Sequence, residues 1–272
     1  MPLSLQRMSL DWGRKPEYPE ETPEAGGEHA NSTHTGQRVV HHLLRKLPLP
    51  KVVEHDELRS WKWRNLSVSL VHSLLTGPWA ITCVSLWPET LSNMHSFSTP
   101  VCYLLVSVSA GYFVQDACDI IFSGHALGSW EFLLHHFLVL WCFLYNLYTQ
   151  RYVAGAVVAL LVEVNSMTLH ARLLLKLAGA QGSRLYHANK FLNLFTYVTF
   201  RLGAQFYITY YIIINFSLLQ HGSYFLLTVL LMDTMILIYF YRLLRADFCP
   251  RGKGHVIQNG AHRSSSSQLF DD

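Results

Sequence analysis

Six long windows nearly free of charge, at about residues 66–87, 99–122, 132–149, 152–177, 191–216 and 221–244, constrain this chain more than any other feature. A helix needs about 20 apolar residues to cross a ~30 Å hydrocarbon core. Lipid offers no partner to a free backbone group, so spanning segments fold as helices or as closed barrels. The period-two alternation of a membrane barrel is absent from the sequence. The windows therefore predict an all-α membrane protein, a bundle of about six transmembrane helices. Only 14% of residues are charged, against about 25% in soluble domains. Pro78, in "TGPW" at 76–79, falls inside the first window, where it is expected to kink the helix.

The flanks differ. Residues 1–48 are polar and rich in Pro, Glu, Gly and His, and residues 249–272 include "RSSSSQLFDD". Both read as disordered tails around a transmembrane domain at 49–248. The first 48 residues contain no apolar core of signal-peptide length, so no cleavable signal is expected there. Orientation follows from Lys and Arg. Arg45, Lys46, Lys51, Arg59, Lys62 and Arg64 precede the first window. Arg172, Lys176, Arg184 and Lys190 surround the fourth connection, and Arg242, Arg245, Arg251 and Lys253 follow the last window. The alternate connections offer Arg151. The positive-inside rule then places both termini in the cytosol. The sequons at Asn31, Asn65 and Asn215 lie in the cytosolic tail or at membrane edges, and no glycosylation is expected.

A net charge of +3 gives no reason to expect a nucleic-acid partner. The five cysteines form no CxxC pair, so neither a disulfide scaffold nor a zinc site is expected. Cys83, Cys102, Cys118 and Cys142 lie in apolar runs and read as small buried hydrophobes. Cys249, just past the last window, is a lipidation candidate or a plain exposed thiol.

Charge inside lipid is costly, about 2.5–3.5 kcal/mol per residue on insertion scales, so each intramembrane polar group needs a reason. The second window carries Asp116 and Asp119 on one helical face, and the third carries His135 and His136 in "SWEFLLHHFLVL". The fourth carries Glu163, Ser166 and His170 along one stripe, with Asn165 beside it. The fifth has Arg201 and the sixth has Asp233. Under the expected topology these groups form a polar cluster facing the bundle interior and open toward the cytosol. Arg201 with Glu163 or Asp233 reads as a structural ion pair, and His170 as an interhelical hydrogen bond. Adjacent residues point about 100° apart on a helix, so one histidine of the pair is expected to face the cluster and the other a neighbouring helix or headgroups. Asp116 or Asp119 would fix an imidazole tautomer. No metal is expected from this spacing.

The stretches "SAGYFVQDACDIIFSG", "SWEFLLHHFLVL", "LLVEVNSMTLHARLLLK" and "IYFYRLLRADFCP" resemble the TLC domain shared by TRAM proteins and ceramide synthases. The likeness is nearest to the small TLC domain-containing subfamily of vertebrates. "GYFxxDxxDI" followed at this spacing by "SWExLxHH" is its most specific part. Ceramide synthases carry an LHDxxD-like element on the next helix. In "LLVEVNSM", Val162 stands at the His position, Glu163 at the first Asp and Ser166 at the second. The resemblance implies a non-enzymatic regulator of phospholipid composition and fluidity that limits polyunsaturated chains. It implies membrane lipids as partners, with membrane-protein partners also open, and no cofactor. The expected location is the plasma membrane, with the endoplasmic reticulum as the alternative. A membrane-embedded acyltransferase, or a lipid transporter or chaperone, remains the alternative function. If it is an acyltransferase, His135, His136, Asp116, Asp119 and Glu163 are the catalytic candidates.

Overall fold

A computed structural model of the protein describes residues 50–248. The two polar tails, Asn31 and the lipidation candidate Cys249 lie outside the described residues. Within them the chain is helical throughout, without a strand.

A short α1 (Lys51–Glu54) leads into α2 (Glu57–Leu86), whose first turn is capped by Asp56, its carboxylate accepting from the amides of Leu58 and Arg59. The helix runs through Pro78 without a break. A single turn, α3 (Glu89–Ser92), precedes α4 (Pro100–Phe122), which starts with Thr99 as N-cap and Pro100 at the first helical position. A 3₁₀ turn at Leu127–Ser129 opens α5 (Trp130–Thr149). The fourth window holds α6 (Val153–Ala159), a 3₁₀ turn at Leu160–Val162, and α7 (Glu163–Leu177). The fifth is three consecutive helical pieces: α8 (Arg184–Thr196), a π-helical stretch at Tyr197–Leu202, and α9 (Gly203–Ile214). The last is α10 (Gly222–Phe248).

Five of these segments, Glu57–Leu86, Pro100–Phe122, Leu127–Thr149, Val153–Leu177 and Gly222–Phe248, are long and apolar enough to cross a membrane. The sixth expected span is the α8–α9 rod, interrupted by its π stretch. The Val153–Leu177 span is the most buried of the five. Its first half, "VAGAVVA", carries small side chains on every face, which lets neighbouring helices approach from all sides. Leu105, Val106, Val153, Val157 and Leu160 form the centre of one apolar core. Ile208, Tyr211, Ile212 and Phe225 gather a second around α9 and α10.

The helices also meet through a close backbone approach. An added Cβ on Gly77 of α2 would stand 3.2 Å from the Val164 amide nitrogen and 3.3 Å from the Glu163 carbonyl carbon. That glycine lets α2 lie against the start of α7.

The end carrying most Lys and Arg is laced by ion pairs. Arg172 grips Asp247 with both terminal nitrogens, Lys190 lies 3.5 Å from the same carboxylate, and Arg242 lies 2.8 Å from Glu131. At the opposite end the loops are stapled together. The Tyr152 amide donates to the His95 carbonyl at 3.0 Å, and the Tyr152 hydroxyl and Arg151 both donate to Gln220 at 2.8 Å.

Candidate functional site

The polar groups of five spans meet in the bundle interior, and the first span supplies a larger share than its sequence suggested. Trp61, Asn65, Ser69 and Ser73 recur every fourth residue along α2 and so share one face. Trp61 donates its indole N–H to Asp119 at 3.0 Å. Asn65 donates to Asp116 Oδ1 at 2.6 Å. Tyr112 of α4 donates to Ser69 at 2.8 Å, and its ring stacks on His72 at 3.9 Å between centroids. Ser73 sits 2.6 Å from Glu163 Oε2, 2.9 Å from the Ser69 carbonyl and 3.4 Å from His170 Nδ1. One hydroxyl proton serves at most one of these three neighbours. Ser69 and Ser73 carry little weight in a hydropathy window, and their four-residue recurrence with Trp61 and Asn65 is the signal that finds them; His72 lies off that series and is placed by its stacking on Tyr112.

The adjacent histidines separate. His136 is 2% exposed, and its Nε2 approaches Asp116 Oδ2 to 2.9 Å. Its Nδ1 lies 2.9 Å from the Phe132 carbonyl, which can only accept, so Nδ1 carries a proton. With Nδ1 protonated, a second proton is needed between Nε2 and the carboxylate for their contact to be attractive. The contact is close but not a linear hydrogen bond, and neither atom has another partner. Phe113 packs edge-on against the His136 ring at 5.1 Å and Phe132 lies 4.1 Å away, closing the pocket with aromatic faces.

His135 points elsewhere. It lines a cavity of about 140 Å³ together with Glu163, Arg201, Gln205 and Asn146. The rest of the wall is mostly apolar, including Phe143, Leu160, Ile208, Ile212, Phe225 and Met232. His135, Glu163 and Arg201 are the lining residues of their spans farthest from the stapled loops, and Met94, Tyr152 and Leu219 mark the end under those loops.

Glu163 and Arg201 owe their positions to irregular backbone. The 3₁₀ turn at Leu160–Val162 tightens the helix just before Glu163, which sets the direction of its carboxylate at the start of α7. Arg201 sits in the π stretch, a local widening that recurs at functional sites. Its Nε donates to Asn165 Oδ1 at 2.8 Å and its Nη2 to Ser166 Oγ at 2.9 Å, while the guanidinium lies 5.5 Å from the Tyr197 ring centroid. Asn165 is fully buried, and its amide reaches Asn193 Oδ1 at 2.9 Å and Thr196 at 3.0 Å. Thr168 joins the same network through Asn193 and Thr196.

This arrangement corrects the expected ion pair. Among the described residues Arg201 has no carboxylate within bridging distance, and its partners are the neutral Asn165 and Ser166. Asp233 takes a hydrogen bond from Thr209 at 2.8 Å instead. Thr209 lies eight residues beyond Arg201, about 12 Å of helical rise. The register of α10 on α9 therefore carries Asp233 past the guanidinium, and it does not line the cavity. Glu163 lines the cavity but turns Oε2 to Ser73. The structure thus brings Asp116 to His136, and links Glu163 through Ser73 to His170. It joins Asn165 and Ser166 to Arg201, and leaves Asp119 with Trp61 and Asp233 with Thr209. Among the described residues no three His, Cys, Asp or Glu side chains form a group able to hold a metal.

The family model of the TLC domain matches residues 62–245, the stretch that contributes all of these groups except Trp61. The chain belongs to the TLC domain family. It is 42% identical over 213 residues to TLC domain-containing protein 1 of Rattus norvegicus, covering 78% of this chain and 86% of that protein. The Homo sapiens protein of the same name is also 42% identical over 213 residues. TLC domain-containing protein 2 of Danio rerio is 39% identical over 213 residues, covering 78% of this chain and 85% of its own length. This TLC chain is a multi-pass membrane protein, with polar groups gathered between the apolar cores of its bundle.

Proposed function

We propose that this TLC protein regulates the phospholipid composition and fluidity of its membrane, limiting polyunsaturated chains by handling lipid rather than by transferring acyl groups. The observation that carries the reading is the cavity: a mostly apolar wall, running along the α8–α9 rod from Arg201 in the π stretch to Ile212, with His135, Glu163 and Arg201 at the end away from the stapled loops. Eleven residues of helix rise about 16 Å, the length of a fatty acyl chain, while a free volume of about 140 Å³ is that of a cavity holding a benzene-sized group, so the cavity admits a segment of such a chain. Val162 and Ser166, where ceramide synthases carry His and Asp, support a non-catalytic role. So does the closed surrounding of His136, which has no face left for a substrate. The proposed location is the plasma membrane, with both termini cytosolic.

The test is complementation. Cells lacking the protein receive wild type or a His135→Ala, Arg201→Gln double variant, and phospholipid acyl chains are measured at equal expression. Wild type should lower polyunsaturated phospholipids and the variant should not. Full rescue by the double variant would remove the cavity from the function. One observation favours the acyltransferase reading, namely His135 and Glu163 lining one cavity, the placement a general base and its partner require. Purified protein incubated with acyl-CoA and amine or hydroxyl acceptors decides it: acyl transfer that depends on His135 would make the protein an enzyme.

A further inference from the structure

We infer that Arg201 is the anchor for an oxyanion headgroup, that of a single-chain lipid whose apolar tail enters the cavity with the segment nearest its head, a fatty-acid carboxylate being the simplest example. The inference rests on the proposed lipid-handling cavity and adds to it the chemistry at its inner end.

A guanidinium has five N–H donors arranged in two forks. The Nε/Nη2 side is taken up by the protein, through Asn165 and Ser166. That leaves both Nη1 hydrogens and the second Nη2 hydrogen, and the Nη1/Nη2 edge matches the two oxygens of a carboxylate. Among the described residues Nη1 donates to no protein group and no carboxylate bridges Arg201. The cation nevertheless sits midway along the α8–α9 rod, where an uncompensated charge is costly. It is not a loose side chain that could reach headgroups on its own. Two hydrogen bonds to α7, a buried Asn165 behind them, and the Tyr197 ring fix its direction. The other charged group lining the cavity, Glu163, is drawn to Ser73 on α2. An oriented cation without a protein counterion, at the polar end of an apolar pocket, is complementary to an anionic head on an apolar tail.

The experiment uses the full chain in detergent with a diazirine-bearing oleate probe, displaced by oleate, methyl oleate or oleoyl-lysophosphatidate. Methyl oleate keeps the tail and removes the charge. Oleate should displace the probe at a concentration about tenfold or more below that of methyl oleate, the ratio expected from one charge-assisted hydrogen-bond pair. Arg201→Gln should bring the two together by weakening oleate and leaving methyl oleate unchanged. Preference for either anion over the ester supports the anchor, and the stronger of oleate and lysophosphatidate identifies the headgroup as carboxylate or phosphate. Equal displacement by oleate and methyl oleate in wild type overturns the anchor while leaving the lipid pocket standing. So does an acid preference that survives Arg201→Gln. If no lipid displaces the probe, or the probe fails to label the cavity helices, the pocket reading itself falls. Should Arg201→Gln fail to fold, the acid–ester comparison on wild type still decides.

Discussion

Two regions of this bundle use the same kinds of residue to opposite ends. Around His136 everything is closed: imidazole, Asp116, Asn65 and the Phe132 carbonyl meet within 2.9 Å contacts, between aromatic faces, at 2% exposure. Around Arg201 and His135, one residue earlier on the same helix as His136, the polar groups are held from behind and left open in front, toward a cavity. Buried charge stabilises only when its partner is present, and losing one member of such a pair is more damaging than losing both. The closed region should therefore govern folding, and the open one ligand handling.

The largest expected effect breaks the closed region. His136→Ala leaves the Asp116 carboxyl group buried beside Asn65 without its imidazole partner, and should destabilise the protein by about 3–5 kcal/mol. The checks are the thermal midpoint in detergent and the yield of monodisperse protein. Asp116→Asn, which removes the charge and keeps the shape, should cost less. If both variants melt with wild type, the pair is not structural and His136 belongs with the open region.

The next effect falls on the link between the regions. Asn165 holds Arg201 on one side and the Asn193–Thr196 pair on the other. Asn165→Ala should lower stability by about 1–3 kcal/mol, the cost of buried polar groups left unpaired. It should also reduce any acid-over-ester lipid preference, because the guanidinium loses its direction. Loss of stability with the preference intact would separate Asn165 from ligand handling.

Smaller still is Gly77→Ala. The new methyl would meet the backbone of α7 at 3.2–3.3 Å, beside Glu163. Overpacking of this kind costs typically about 1–3 kcal/mol, and a single methyl against a helix start belongs at the low end. Thermal midpoints of Gly77→Ala and Gly77→Val should fall in that order. An unchanged midpoint for the valine variant would mean that α2 and α7 separate freely.

The sequence made the spans legible because hydrophobic windows of membrane length admit few readings. The bias of Arg and Lys likewise fell at one end, where Arg172, Lys190 and Arg242 make ion pairs. Helical spacing put Glu163, Ser166 and His170 on one stripe, but it could not say which helix faces them. That depends on the register between helices, which no local pattern encodes. Register is why Asp233 ends beside Thr209 and not Arg201. The α2 stripe escaped notice because Ser69, Ser73 and Asn65 weigh little in a window judged by hydropathy, although together they contact Tyr112, Glu163 and Asp116. The π stretch that presents Arg201 had no signature in "TYVTFRLGA".

The smallest expected effect on stability is the sharpest test of the comparison. His135 is half-buried, lines the cavity, and makes no ion pair among the described residues. Its removal therefore strands no buried charge beside a cavity that already borders it, and His135→Ala should shift stability by less than about 1 kcal/mol, below the centre of the range for single substitutions. One residue later the same substitution should cost several times more. The two variants differ by a single position and remove the same side chain, so their compositions are identical. If cellular lipid composition depends on the cavity, His135→Ala should lose rescue at wild-type protein levels, whereas His136→Ala should lose rescue in proportion to lost protein. Equal melting temperatures and equal rescue for the two would show that the pair acts as one unit, and the division between a closed and an open region would fail.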